Sequence, residues 1–525
     1  MGATKKYFLN SVLLSAVSVA VRFVSVSFNA HVAVKVGAEC MGLFTLVASV
    51  FSLCVIIASA GVNLAVVRTV SEVYARCEKD GVDPAPSLKK TVGSATVYSL
   101  LFGILTGGAV FLLARPIGIY LLGDERSILS LKAFAASLPA ISLSSALAGY
   151  FTGVGKVYKN AVCTFTEEAG KILAVSAGLV LIAPRGIEYA CLAVVGGGAV
   201  AQALSLSVSF LIYVKDKNRN GKRVPSGSAT CRGADFKRIA ALALPVAAGN
   251  AARYGLVTAE HLAIPRGLAL YGMDASSALS VYGVFQGMVM PVVLFPSAVL
   301  YSFSGLLIPE LSSCRAVGNT ERIKNIEEKV FRSSLLFSIC VAGVLLSFSD
   351  GIGMGLYRSA EASRQLRLLA LLVPVMYIDS AVDGMLKGLG EEVYCMKINV
   401  ADSLLCLALV FVLVPRYGID GFIALTIISE VMNASLSMIK LFEVAPIKAN
   451  LFKWVACPVL SAALSSTIIK AVFCRTDVVL SVRIAFSVVL YGAFCFVSGA
   501  VGRRDAAWLG SLFKRKERRE ISARL

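Results

Sequence analysis

Arg22 and Arg253 each stand in the middle of an apolar run long enough to cross a bilayer, with no acid three or four residues away in the same run. A guanidinium in hydrocarbon costs about 3 kcal/mol or more, so it needs a carboxylate from another helix or a water-filled cavity. Its planar fork of donors matches phosphate oxygens. Each run also carries one of the chain's 2 histidines, His31 after Arg22 and His261 after Arg253. Glu260 lies two helical turns past Arg253, on the same face. Asp379 and Asp383, one turn apart, are acids able to meet an arginine or to hydrogen-bond sugar hydroxyls. The coincidence points to two related halves around a central, positively lined cavity.

Other intramembrane charges read as structural. Glu167 or Glu168 with Lys171 has the spacing of a self-contained salt link along one helix. No glycine-rich phosphate loop, metal-ligand spacing or nucleophile with a neighbouring base occurs, and the 13 cysteines form no C-x-x-C pair. No catalytic residue, metal or cofactor is therefore expected, and the chain does not read as an enzyme.

The elements that must position these residues are membrane helices. Hydrophobic residues make up 57% of the 525 and charged ones only 16%, against about 25% in a soluble domain. The apolar runs amount to about fourteen spans. The alternating short segments of a membrane barrel are missing. The N-terminal MGATKKYF leads straight into an apolar run with no cleavage site, so it begins a first span. A net charge of +19 would suit nucleic acid, but most of the 51 Lys and Arg fall on the side of the termini. That bias puts both termini in the cytoplasm of a multi-pass inner (cytoplasmic) membrane protein. The tail KRKERRE then meets anionic membrane lipids rather than nucleic acid.

Internal repetition divides the chain. PAISLSSALAGYFTGVG from Pro139 aligns with PVMYIDSAVDGMLKGLG from Pro374, and Ser145, Gly149, Gly153 and Gly155 match Ser380, Gly384, Gly388 and Gly390 at one offset. Glu167 matches Asp402 at the same offset. PRGIEYA at Pro184 resembles PRYGIDGF at Pro415, MGLF at Met41 resembles YGVF at Tyr282, and Arg22 aligns with Arg253. The expected fold is an all-α polytopic membrane protein: two pseudo-symmetric six-helix lobes related by an axis along the membrane normal, plus two extra C-terminal helices. The expected divisions are a lobe at 1–214, a basic cytoplasmic linker at 215–238, a second lobe at 239–448, the extra helices at 449–502 and a basic tail at 503–525. Glycines four apart, at Gly149/Gly153 and Gly384/Gly388, read as helix-packing positions.

Three segments carry a family resemblance: GMVMPVVLFPSAVLYSFSGLLIPELS from Gly287, AEHLAIPRGL from Ala259 and VPVMYIDSAVDGMLKGLGEEVY from Val373. They resemble the oligosaccharide flippases of the stage V sporulation protein B-like group, in the multidrug/oligosaccharidyl-lipid/polysaccharide exporter superfamily that also holds the lipid II flippases. The resemblance runs through the first twelve spans and is strongest from Arg253 to Tyr417. It implies two lobes forming a V around a cavity with alternating access, and cavity arginines engaging a lipid-linked diphosphate. Arg22 and Arg253 match those arginines. Relatives often carry a second arginine two turns after the first, where this chain has Asn29, which joins the candidate substrate ligands with Glu260, Asp379 and Asp383.

The primary reading is a flippase that moves an undecaprenyl-linked saccharide precursor to the outer leaflet. One alternative is a Na⁺- or H⁺-coupled drug or metabolite antiporter using Asp379, Asp383 and Glu260. Another is a non-transporting scaffold whose basic loops recruit wall-synthesis enzymes.

Overall fold

The computed structural model describes the chain outside residues 1, 81–82, 157, 221–234, 301–306, 308–310, 313, 316–317, 446–451, 474–477 and 501–525, with the backbone alone for 2–20, 78–80 and 217–220. Most of the basic linker and all of the basic tail lie outside the described residues. The described elements are helices, and no strand occurs among them. In chain order they are α1 (Gly2–Ser59), α2 (Val62–Asp80), α3 (Ala85–Leu112), α4 (Ile128–Gly153), α5 (Tyr158–Leu181), α6 (Ile187–Asn220) and α7 (Phe236–Leu270). They continue with α8 (Ala275–Leu294), α9 (Thr320–Tyr357), α10 (Ala360–Ala370), α11 (Val373–Gly388), α12 (Glu392–Val444), α13 (Cys457–Val472) and α14 (Leu480–Val497).

Among the described residues, 9 helical stretches are long and apolar enough to cross a membrane, or up to 10 if the bent pair α10 and α11 forms one span. The chain is an all-α polytopic membrane protein. α5 and α7 are as long as a span yet fall outside this set. They are the helices that carry Glu167, Glu168 and Lys171, and Arg253 and Glu260. The longest helices are kinked where their apolar runs change over. α1 turns at Gly37 (φ 81°) and α12 at Gly418 (φ 59°), backbone conformations that glycine adopts without a Cβ clash.

The chain divides into two compact units, Met1–Phe295 with Asn399–Thr426, and Pro296–Ile398 with Ile427–Leu525. The first has a core between α2, α3, α4 and α7, where Val66, Val70, Tyr98, Tyr150, Phe151 and Ile239 are buried. Gly149 and Gly153 pack α4 on α2: a Cβ on Gly149 would lie 2.8 Å from the Asn63 carbonyl oxygen, and one on Gly153 2.8 Å from Val70. The second has a core of Phe331, Leu386, Trp454 and Tyr491 from α9, α11, α14 and the turn before α13.

The sequence repeat is written into the backbone. The matched glycines 155 and 390 are both left-handed, with φ 74° and 75°. Lys156 N–H donates to the Phe151 carbonyl (2.8 Å), and Glu391 N–H to that of Leu386 (2.9 Å), at matched positions. The correspondence extends upstream, beyond the residues whose identities reveal it. Gly123 and Arg358 both end their helices in the left-handed region, and Asp124 and Ser359 both cap the next turn through their side chains. The copies differ at the matched prolines. α4 runs on through Pro139, whereas α10 and α11 bend by 57° with Pro374 in the first turn of α11, where a missing N–H costs nothing. α3 accommodates Pro139 with Gly103, whose Cβ would lie 2.8 Å from the proline Cα. Ser142 Oγ then lies 2.8 Å from the carbonyl oxygens of both Ala58 and Ser99.

Where MGLF and YGVF meet, the two copies touch reciprocally. A Cβ on Gly42 would lie 2.1 Å from the Leu279 carbonyl oxygen, and one on Gly283 2.1 Å from that of Ala38. Ala38 and Leu279 are themselves matched positions. Residue i of one copy therefore meets residue j of the other and the reverse, the signature of a local two-fold axis through this glycine seam.

Candidate functional site

Two helices of the first unit bring one polar face each, and a third brings a single glutamine, to a cavity of about 780 Å³. α1 contributes Arg22, Ser25 and Asn29, which recur at helical spacing on one side. α5 contributes Asn160, Thr164, Glu168 and Lys171, again one face. α8 contributes Gln286 from a π-helical stretch (Gly283–Val289), then Met290 and Leu294. An inserted residue of this kind re-aims the side chains beyond it and recurs at functional sites. The apolar side is completed by Val21, Val26, Pro291 and Phe295, with the Phe23 and Phe295 rings 5.5 Å apart.

Arg22 is exposed to this space and forms no ion pair among the described residues. The salt link expected between Glu167 or Glu168 and Lys171 is not formed either. Glu168 and Lys171 both line the cavity rather than forming the local pair that an isolated helix would favour. Its charged wall is thus two cations and one carboxylate, surrounded by amides and hydroxyls.

Arg253 is held differently. It does not line this cavity; its Nη2–H donates to Asn399 Oδ1 of α12 at 2.9 Å. Glu260, half-buried two turns further along α7, lies in the field of Asp402, one turn past Asn399. His261 Nδ1 is 2.8 Å from the Tyr282 hydroxyl, with the rings edge to face. The repeat relates these arrangements, since Asn399 matches Thr164 and Arg253 matches Arg22. Both arginines face the matched helix of their own copy, but Arg22 shares an open cavity with Lys171, Glu168 and several amides, whereas Arg253 is bonded to the single amide of Asn399.

The candidate acids of α11 lie in the second unit. Asp383 forms an ion pair with Lys387, one turn along the same helix. Asp379 Oδ2 accepts from Asn433 Nδ2 at 3.2 Å. Arg22 and Asn29 are therefore gathered in one cavity, Arg253 and Glu260 lie on a separate wall of the same unit, and Asp379 and Asp383 have partners in the other unit. Sequence reasoning missed Gln286, Asn160 and Thr164, and it set Lys171 and Glu168 aside as a local pair. The available signal was their spacing, a second polar face of the same kind as that of α1.

Residues 8–315 match the polysaccharide biosynthesis protein family. The chain is 24% identical over 485 residues to stage V sporulation protein B of Bacillus subtilis (strain 168), covering 89% of this chain and 90% of that one. It is 22% identical over 281 residues to sporulation protein YkvU of the same organism, covering 53% and 61%. Among solved structures, the lipid II flippase MurJ in its inward closed conformation shares the fold with a TM-score of 0.64 at 15% identity, covering 92% of this chain and 98% of that chain. An inward-facing multidrug resistance MATE family transporter of the MOP superfamily gives 0.57 at 13% identity, covering 88% and 100%. With the family match spanning more than half of the sequence, this chain belongs to the polysaccharide biosynthesis protein family.

Proposed function

We propose that this protein flips a polyprenyl-diphosphate-linked saccharide from the cytoplasmic to the outer leaflet of the cytoplasmic membrane by alternating access. In this reading about fourteen spans form two six-helix lobes, 1–214 and 239–448, with the helices of 449–502 appended and both termini in the cytoplasm. The observation that supports it most is Arg22, a mid-span guanidinium in a cavity of about 780 Å³ with no ion pair among the described residues. A saccharide diphosphate cannot cross hydrocarbon unaided. Arg22 offers a bidentate fork to its phosphate oxygens, Asn29, Asn160 and Gln286 offer amides to sugar hydroxyls, and the polyprenyl tail stays in lipid. Two negative charges moving outward across an inside-negative membrane gain about 2.3 kcal/mol each per 100 mV, so the potential alone can drive the cycle. An antiporter for organic cations fits less well, because Arg22 and Lys171 would repel its cargo from this cavity.

The test is reconstitution into vesicles with an undecaprenyl diphosphate-linked saccharide, followed by leaflet-resolved accessibility of the headgroup. Arg22→Ala should slow flipping at least about tenfold, the worth of one charged hydrogen bond, and Arg22→Lys should also be impaired, having lost the fork. Wild-type flipping in both Arg22→Ala and Arg253→Ala would overturn the proposal.

A further inference from the structure

This inference rests on the diphosphate reading above. A diphosphate diester carries two negative charges and Arg22 supplies one positive charge. Asn29, on the same face of α1, adds an amide and no charge. The cavity's other cation is Lys171, which projects from α5 and, though in the field of Glu167, closes no ion pair within 4.0 Å with either glutamate one turn before it. A lysine at that spacing on an ordinary exposed helix would close the pair. Here both partners instead line the space that a ligand would fill.

The internal repeat sharpens the point. The position matching Lys171 in the second copy is Cys406, whose Sγ lies 4.0 Å from Asp402 Oδ1, and the position matching Asn29 is Glu260. The second copy has thus put a carboxylate where the first has an amide, and a thiol where the first has an ammonium. The surplus of positive charge is confined to the first copy, on the wall shared by α1 and α5.

We infer that Lys171 joins Arg22 as the second cationic ligand of the diphosphate, and that Glu168 tempers this site so that the bound anion can leave. Arg22 fixes orientation through its planar fork, while Lys171 contributes a mobile point charge. Glu168 faces the same anion with like charge and weakens its hold. Transport needs release as much as capture.

Full-length purified protein would be titrated calorimetrically with inorganic pyrophosphate and with farnesyl diphosphate, and the same variants assayed for flipping. Lys171→Met should weaken both ligands about 10- to 100-fold, as expected for a lost charge-assisted hydrogen bond. Lys171→Arg should stay near wild type. Glu168→Gln should bind several-fold more tightly and flip more slowly, a sign that a purely structural glutamate would not give. Weak binding in Arg22→Ala together with wild-type binding in Lys171→Met overturns this inference and leaves the flippase reading standing. Wild-type binding and flipping in both variants, with wild-type flipping in Arg253→Ala as well, overturns both. If Lys171→Met does not fold, Glu168→Gln decides, and binding no tighter than wild type overturns the inference.

Discussion

The glycine seam gives a steric prediction that the backbone leaves little room to evade. In Gly42→Ala the new methyl would sit 2.1 Å from the Leu279 carbonyl oxygen, where an ordinary carbon–oxygen contact needs about 3.3–3.6 Å. The obstacle is backbone, so the two helices must part by more than about 1 Å. Leu43, Tyr282 and Phe285, all fully buried beside the seam, then lose contact across a gap too small for water. Overpacking of this kind costs about 1–3 kcal/mol, and the upper figure applies where no side chain can yield. Gly283→Ala should cost the same, since its Cβ meets the Ala38 carbonyl oxygen at the same 2.1 Å. The double variant should cost well under the sum, because helices already parted by one methyl have made room for the other. Gly108→Ala in α3, whose Cβ would meet nothing within 4 Å, is the control and should be neutral or stabilising by about 0.5–1 kcal/mol. Midpoints of thermal unfolding in detergent read all four. Strictly additive losses, or wild-type midpoints in the single variants, would refute the reciprocal contact.

Two further expectations concern other parts of the chain. Asp216 accepts from Lys156 at 2.9 Å and pairs with the buried Lys159, so Asp216→Asn should destabilise by about 3 kcal/mol and Asp216→Asn with Lys159→Met by less, read in the same unfolding assay. If both termini are cytoplasmic, a membrane-impermeant thiol reagent added outside intact cells should label a Ser276→Cys variant and leave the native Cys231 of the linker untouched; the reverse pattern would invert the topology.

Much of the fold was legible because hydrocarbon imposes simple rules. Apolar runs marked the helices, and the glycines where α1 and α12 kink fall between two runs (Gly37) or at the start of one (Gly418). The repeat was legible from matched prolines and glycines, since those residues hold backbone conformations that few others can. Its extension to Gly123 and Arg358 was not, because the two share a dihedral region and no side-chain chemistry. Gly149 and Gly153 were read correctly as packing positions, for a bare Cα has few other uses in a helix. The site was harder. Arg22 was conspicuous because its helix offers it no partner, whereas Lys171 was hidden by Glu167 and Glu168 at pairing distance in sequence. Conversely, Asp383 looked available for a ligand although Lys387 stands one turn away to neutralise it. Arg253 takes an amide partner 146 residues distant in the chain, a contact that only the folded repeat could reveal.

The reciprocity at Gly42 and Gly283 also bears on descent. A surface that meets its own counterpart is self-complementary, so a half-length chain carrying only the first copy could dock on a second molecule of itself through this glycine face. Duplication and fusion would then create no new interface; joining the copies would only raise the local concentration of a partner already suited to bind. From that moment the copies could specialise, though not evenly. A seam residue faces its twin, and a change in one copy must be answered in the other, which keeps glycine on both sides. The polar faces away from the seam carry no such bond, and there the copies have parted: lysine against cysteine at 171 and 406, asparagine against glutamate at 29 and 260.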